Sequence, residues 1–498
     1  MSRFVDRRRF IKEMGMSAAA LALMPHLARA EKRGGIRPAG PPRNIVILGG
    51  GLAGLAAGYE LKKAGHKVTI LEARKQAGGR VRTIREFSGN LYAEAGPVSF
   101  PQDHSFTWGY ATEFRLPMQP AYRLGLDPVA HLHGTRVRLT PGSTDFGVDL
   151  TAREREAGIG GLPTLYMRDV MQDLGNLRKA DWPPERLHEI DSISLRQFLI
   201  NQGATQGAID LIEATSLGLL GFGLDSLSAL DGAVTEHIST RSLFYEIIGG
   251  NDQLASALKK KVKKQFKKKS VVRRIEQNET GVTITYEVGG EILTLNADRA
   301  ICTLPFPVLR DIEVFPEFSE PKRRAINELK LTPVTRTFME FRTRVWEQDG
   351  LNGYGITDLD IQNTYSPTLT QVGTRGVLAS YAAGQRALDL GALSEEDRQS
   401  RVLRRSGNLF GGLNSAYEGG TSQVWHDDEW ARGGYTYFEP GQMAVLLPEA
   451  QRPEGRVHFA GEHTSAWHGW MNGALESGNR AAEEVNEAES VEEIVASS

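Results

Sequence analysis

The pattern Gly49-x-Gly51-x-x-Gly54 restricts what this chain can fold into more than any other feature. It follows Asn44-Ile-Val-Ile-Leu48, a short β-branched apolar run of the kind found in buried parallel strands. A helical stretch from Leu52 to Ala64 comes next, with Leu55, Tyr59 and Leu61 as candidate buried positions. Gly49 permits a tight turn, Gly51 lets backbone approach a pyrophosphate, and Gly54 lets helix and strand pack closely. The N–H groups at the helix start, Leu52 and Ala53 among them, then face the phosphates with a partial positive charge. A second apolar strand, Val68-Thr-Ile-Leu71, ends at Glu72, whose carboxylate can accept hydrogen bonds from ribose hydroxyls. Strand, turn, helix, strand and acid in this order predict a βαβ unit that binds a dinucleotide.

The chain of 498 residues is long enough for two intertwined domains. A net charge of −2 gives no reason to expect nucleic acid as a partner. The 11 histidines show no metal-ligand spacing. Cys302, the only cysteine, lies in the apolar run Ala300–Leu304 and reads as a buried core thiol, so no internal disulfide can form. Into and through the lysine-rich stretch 259–269, Leu254, Leu258, Val262 and Phe266 recur at four-residue spacing, which predicts one amphipathic helix with a solvated basic face.

Asp6-Arg-Arg-Arg-Phe-Ile-Lys12 resembles a twin-arginine export signal, followed by a weakly apolar stretch to Leu27 and an Ala28-Arg-Ala30 cleavage pattern. This implies periplasmic or secreted delivery of a folded protein by the twin-arginine translocation machinery. The stretch is too short, and too broken by Pro25, for a stable membrane span.

The segment after the second strand, Glu72-Ala-Arg-Lys-Gln-Ala-Gly-Gly-Arg-Val-Arg-Thr83, resembles that of the flavin amine oxidase superfamily. Tyr92-Ala-Glu-Ala-Gly-Pro97, Ile248-Gly-Gly-Asn-Asp-Gln-Leu254 and Val457-His-Phe-Ala-Gly-Glu-His-Thr464 with Trp467–Gly478 match the same family in kind and order. The L-amino-acid oxidases are the most similar subgroup, on Gly96-Pro97 and His468-Gly-Trp470. The resemblance implies an α/β fold in which a Rossmann-type FAD-binding domain is interleaved with an α+β substrate domain. Its expected pieces are 44–115, 241–325 and 421–487 for FAD, and 116–240 with 326–420 for substrate. Residues 1–30 would be the signal, 31–43 a mobile linker and 488–498 an acidic tail. FAD would be bound non-covalently, since no cysteine stands near Gly433. Gly49, Gly51, Leu52, Ala53, Gly54, Glu72, Ala73, Arg74, Gly79, Arg80, Gly96, Pro97, Val98 and Val272 would hold it from the first half of the chain. Trp425, Gly461, Glu462, Gly469, Trp470 and Met471 would do so from the second, with Glu462 on a ribityl hydroxyl.

The implied reaction oxidises an amine to an imine, which water hydrolyses, while molecular oxygen is reduced to peroxide. An L-amino-acid oxidase with a relocated carboxylate anchor is the alternative, a flavin-dependent amino-acid monooxygenase a third option, and an accessory electron-transfer flavoprotein the rival of another class. Substrate contacts are expected from Ser99, Tyr365, Tyr435, Gly469 and Trp470, the aromatics otherwise serving as core packing. Two positions depart from the family. Ser99 stands where an arginine usually grips the substrate α-carboxylate, so an amine is expected unless Arg115, Arg136 or another arginine enters the pocket. Arg336 stands where a lysine usually assists the reaction with oxygen, so a catalytic part for Arg336 beside Tyr435 and Trp470, or a slower reaction with oxygen, is expected. The identity of the amine and the assembly state, a homodimer included, stay open.

Overall fold

The computed structural model describes residues 36–488, apart from 141, 142, 144, 180, 240 and 241. The twin-arginine segment, its cleavage pattern and residues 489–498 lie outside the described residues.

Asn44–Leu48 and Lys67–Glu72 pair in parallel, as the apolar runs predict. They sit inside a five-stranded sheet whose order is Phe266–Lys268, Lys67–Glu72, Asn44–Leu48, Arg299–Cys302, Val457–Phe459. The helix Leu52–Lys63 is buried on nearly every face. One side meets the sheet, and the C-terminal helix Met471–Glu487 covers another, approaching so closely that a Cβ on Gly478 would lie 2.4 Å from the Ala53 carbonyl oxygen. Cys302 ends its strand 1% exposed, in the core.

The amphipathic helix expected through Phe266 is shorter. It spans Asp252–Lys261, and the chain then turns into the strand Phe266–Lys268, paired in parallel with Ile70–Glu72. Sheet edge pairing overrides the four-residue spacing here. The Phe266 ring is drawn over the glycine turn, where a Cβ on Gly50 would lie 2.6 Å from its Cε2. The lysines beyond Lys259 in that stretch are solvated, as expected.

Residues 36–43 are not a free linker. Arg43 donates to the Val485 and Asn486 carbonyls at 2.6 and 3.1 Å, and Asn486 Nδ2 donates to the Arg37 carbonyl, so the segment is clamped to the C-terminal helix.

A seven-stranded mixed sheet is separate from the five-stranded nucleotide sheet. Its order is Tyr417–Val424, Val334–Phe341, Gly376–Ala383, Asn363–Tyr365, Leu351–Thr357, Asp127–Leu132, Thr135–Arg138. Strand Tyr417–Val424 pairs with Val334–Phe341, so the chain returns to the nucleotide sheet only beyond it. Helices such as Leu162–Asp173, Gln206–Ala214 and Ala229–Ser239 close one end around their own apolar cluster. Among the described residues no helix is long and apolar enough to cross a membrane.

Candidate active site

A cavity of about 1260 Å³ runs from the glycine turn, past the carboxyl ends of the parallel strands, to the seven-stranded sheet. At its nucleotide end the three glycines are distinct. Gly49 adopts φ +106°, and a Cβ on Gly54 would lie 2.1 Å from the Gly49 carbonyl oxygen. At Gly51 a Cβ would meet nothing within 4 Å, so open space lies before the backbone at the start of the helix. Glu72 accepts from Gly50 N and Arg74 N, each at 2.7 Å, which aims its carboxylate at the same space. Gly78 N donates to the Gly50 carbonyl at 2.9 Å, stacking the Gly78-Gly79-Arg80 segment on the turn. Arg74, which lines the cavity, is paired with Asp428.

At the middle of the cavity Glu462 acts as a hub. Its carboxylate accepts from Arg80 Nη1 at 2.7 Å, from Thr436 N at 3.2 Å and Oγ1 at 3.1 Å, and from Gly469 N at 2.8 Å. Burial opposes its charge, but Arg80 and the other donors outweigh it and hold the carboxyl near pKa about 2. These four contacts take most of the lone-pair capacity of a carboxylate. The geometry therefore makes Glu462 a positioning residue for Arg80 and the Gly469–Trp470 turn, and leaves little capacity for a ribityl hydroxyl.

The far end is aromatic. Tyr435 lies against Gly469, its Cβ 3.8 Å from where a Gly469 Cβ would be, and Trp470 follows directly. The Tyr435 hydroxyl donates to the Leu219 carbonyl at 2.6 Å and accepts from Tyr381 at 3.0 Å. Burial raises the Tyr435 pKa well above the ordinary phenol value. Trp470 meets His104 edge-on at 5.0 Å between centroids.

Three side chains on or beside the seven-stranded sheet pin one loop. Trp425 Nε1 donates to the Ala95 carbonyl at 2.7 Å, and the Tyr365 hydroxyl to Glu94 O at 3.4 Å. Arg336, in strand Val334–Phe341, donates through Nη1 to Glu94 O at 3.0 Å and to Gly96 O. Gly96, Pro97, Val98 and Ser99 of this loop line the cavity, as do Ala73, Gly79, Gly461 and Met471.

Most expected site residues thus meet in one cavity. Val272 does not: it is buried in the core beside the strand Val282–Val288. Arg115 and Arg136 do not enter either; both are exposed, and Arg136 donates to the Leu409 carbonyl. Sequence reasoning missed Tyr381, three carboxyls and a buried pair. Glu94 and Glu236 line the cavity, with burial raising their pKa values to about 8 and about 7. Glu246 lines it too and is also raised by burial. Behind Gly469, His468 Nε2 lies 2.8 Å from Asp231 Oδ1. Asp231 is brought there by the helix Ala229–Ser239, far away in sequence, and no local pattern marks it. Among the described residues no cluster could hold a metal ion.

A family model described as flavin containing amine oxidoreductase matches residues 52–486. The chain belongs to this family. It is 36% identical over 469 residues to the "Putative L-amino-acid oxidase YobN" of Bacillus subtilis (strain 168), covering 91% of this chain and 97% of that protein. It is 29% identical to the L-amino-acid oxidase of Vipera ammodytes ammodytes, over 92% of this chain and 95% of the other. Among solved structures, a putrescine oxidase triple mutant superposes with a TM-score of 0.79 at 24% identity, covering 92% of this chain and 99% of that one. Cyclohexylamine oxidase from Brevibacterium oxydans IH-35A superposes with a TM-score of 0.77 at 21% identity, covering 90% and 99%. These structural likenesses speak to the fold.

FAD is the cofactor of this amine oxidoreductase. The residues present fit it: open space before Gly51, a helix start and a directed Glu72 suit an ADP moiety. No cysteine stands near Gly433 to bond the isoalloxazine ring, and Cys302 is buried in the sheet, in keeping with non-covalent FAD.

Proposed function

We propose that this enzyme oxidises the C–N bond of a small amine whose nitrogen-bearing carbon lies in the aromatic end of the cavity, between Tyr435 and Trp470. The observation that carries the reading is the meeting of these two residues at Gly469, at the opposite end of one continuous cavity from the glycine turn. FAD, when bound, accepts two electrons and the hydrogen from the substrate carbon, and oxygen returns it to the oxidised form.

The protein supplies position and environment. Tyr435 and Trp470 offer flat apolar walls, and the Tyr435 hydroxyl, held by Leu219 O and Tyr381, cannot swing into the amine's path. A desolvated aromatic site favours the neutral amine over the ammonium, which is the form with a lone pair to share. Arg80 and Glu462 set the turn that carries Trp470. We assign Gly49, Gly51, Gly54 and Glu72 to the ADP end, and Trp425 and Gly434 to the flavin end. The basic Asp6–Lys12 segment supports export by the twin-arginine route; substitution of Arg7 and Arg8 by lysine should then retain the protein in the cytoplasm.

Anaerobic titration of the purified yellow protein with an amine and amino-acid panel tests the function. Bleaching of the flavin bands, followed by oxygen uptake and peroxide release in air, is the expected result. Absence of bleaching by either class with FAD bound would refute it and favour an accessory flavoprotein.

A further inference from the structure

Among the described residues four arginines line the cavity, and three of them are matched by carboxylates: Arg74 by Asp428, Arg80 by Glu462 and Arg123 by Glu347. Arg336 is different. It is 4% exposed, and among the described residues no carboxylate forms an ion pair with it. Its Nη1 donates only to backbone carbonyls, its Nε has no hydrogen-bond partner, and its guanidinium lies 4.0 Å over the Tyr381 ring. The adjacent acid, Glu94, gives Arg336 its carbonyl, while its carboxyl turns away to Asn251 N at 2.8 Å and Thr83 Oγ1 at 3.0 Å. An arginine is charged at any working pH, and buried charges in proteins are matched by counter-charges. The protein leaves this one to be matched by something in the cavity.

Resting on the amine-oxidation reading, we propose that Arg336 binds the carboxylate of the substrate, so that the preferred substrates are α-amino acids. Ser99 removes a cation from one wall of the cavity, but it does not leave the cavity without one. Ser99 stands three residues beyond Gly96, whose carbonyl Arg336 holds, and it can add a neutral hydrogen bond to the same carboxylate. The Tyr365 and Tyr381 phenols lie against the guanidinium, with their own hydrogens given to the Glu94 carbonyl and the Tyr435 hydroxyl, so they wall the cation without supplying a counter-charge. The cavity acids do not pair with this positive site: Glu94, raised to about 8, is held largely protonated at neutral pH, Glu236, raised to about 7, about half so, Glu246 is raised by burial in the same direction, and Glu462 is taken by Arg80. The sequence-based preference for a plain amine rested on the missing arginine at 99, and the fold answers it by bringing Arg336 across from the seven-stranded sheet.

Two readouts test this on the FAD-loaded enzyme. The first is binding of phenylacetate, which carries the acid and no amine, followed by perturbation of the flavin spectrum. The second is anaerobic flavin reduction by the pairs tyrosine and tyramine, and phenylalanine and phenethylamine, expressed as the selectivity for acid over amine. In Arg336→Met, phenylacetate should bind about 100-fold more weakly and the selectivity should fall by a similar factor, as expected when one partner of a desolvated charge pair is removed. Arg336→Lys should recover part of both, since it restores charge without the planar fork. Equal losses for acid and amine, or a loss confined to reoxidation by oxygen, would overturn the proposal. So would a wild-type enzyme that tyramine reduces, tyrosine does not, and phenylacetate leaves spectrally unchanged; amine oxidation itself would survive that outcome. If neither class reduces the flavin, the functional reading fails, and phenylacetate titration of wild type, Arg336→Met and Arg336→Lys still decides the role of Arg336, the retained flavin spectrum of each variant showing that it has folded.

Discussion

Gly51 and Gly54 stand three residues apart in one turn, yet the structure predicts opposite consequences for the same substitution. At Gly54 a methyl group would sit 2.1 Å from the Gly49 carbonyl oxygen and 3.1 Å from Thr303 Oγ1. Backbone on one side and a packed side chain on the other leave no room, so helix and strand must separate by about 1 Å. Overpacking of this kind costs roughly 1–3 kcal/mol, set against a gain of about 1 kcal/mol in helix propensity. Gly54→Ala should therefore lower the melting temperature of the apoprotein. At Gly51 the backbone φ is −72°, which alanine adopts readily, and a methyl group meets nothing within 4 Å. Alanine is a poorer helix cap than glycine, but it loses less chain entropy on folding, and the two effects nearly offset one another. Apoprotein stability should change by less than about 1 kcal/mol. The open space is where the pyrophosphate would lie, and a methyl group there would displace charge-assisted N–H contacts worth about 1.5–3 kcal/mol. The FAD dissociation constant of Gly51→Ala should rise by roughly 10- to 150-fold. Equilibrium dialysis of deflavinated protein with FAD, beside thermal melts of the same preparations, measures both quantities. A Gly51→Ala variant that melts normally and binds FAD as tightly as the wild type would refute the placement of the dinucleotide over this turn.

Glu462→Gln should destabilise the holoenzyme by about 2–3 kcal/mol, because Arg80, Thr436 and Gly469 lose a charged acceptor. Because the folded carboxyl titrates near about 2 and an unfolded one near 4.3, its contribution is fully present above the unfolded value and lost as pH falls towards 2; denaturation midpoints across that range check it in wild type and variant. For His468, burial opposes the charge but Asp231 outweighs it, so the folded pKa is raised. Its stabilisation should be complete below the unfolded value of about 6.5 and fade as pH rises through the folded one, and Asp231→Asn should remove that slope. Lys322 is fully buried over the Phe459 ring, with burial pulling its pKa down to about 7. Stability carried by this site should rise between pH 7 and the unfolded value of about 10.4, and Lys322→Met should flatten that rise in the same melts.

The βαβ unit was legible because its signal is local. Asn44–Leu48 has its predicted bounds, the helix and second strand match to within a residue, and Glu72 faces the turn because a strand end can aim it nowhere else. The aromatic end was legible through ordered blocks of residue types at Gly433–Thr436 and His468–Met471. Phe266 was misread because four-residue spacing also arises when a helix ends and an edge strand begins, and only pairing with Ile70 separates the two. The segment 36–43 was misread because Arg43 finds its acceptors in the C-terminal helix, more than 440 residues away.

The charge inside the cavity belonged to neither kind of signal. By itself the sequence determined that the chain folds around a dinucleotide, that the position of Ser99 carries no cation, and that the position of Arg336 does. Which cation faces the cavity without a counter-charge is a property of several strands at once. Arg74, Arg80 and Arg123 are each neutralised by an acid distant in sequence, whereas Arg336 is carried by the seven-stranded sheet into a wall of phenols and backbone carbonyls. Only tertiary packing decides such matters, because a buried charge is paired or left open by what arrives in three dimensions, and no spacing along the chain encodes that arrival.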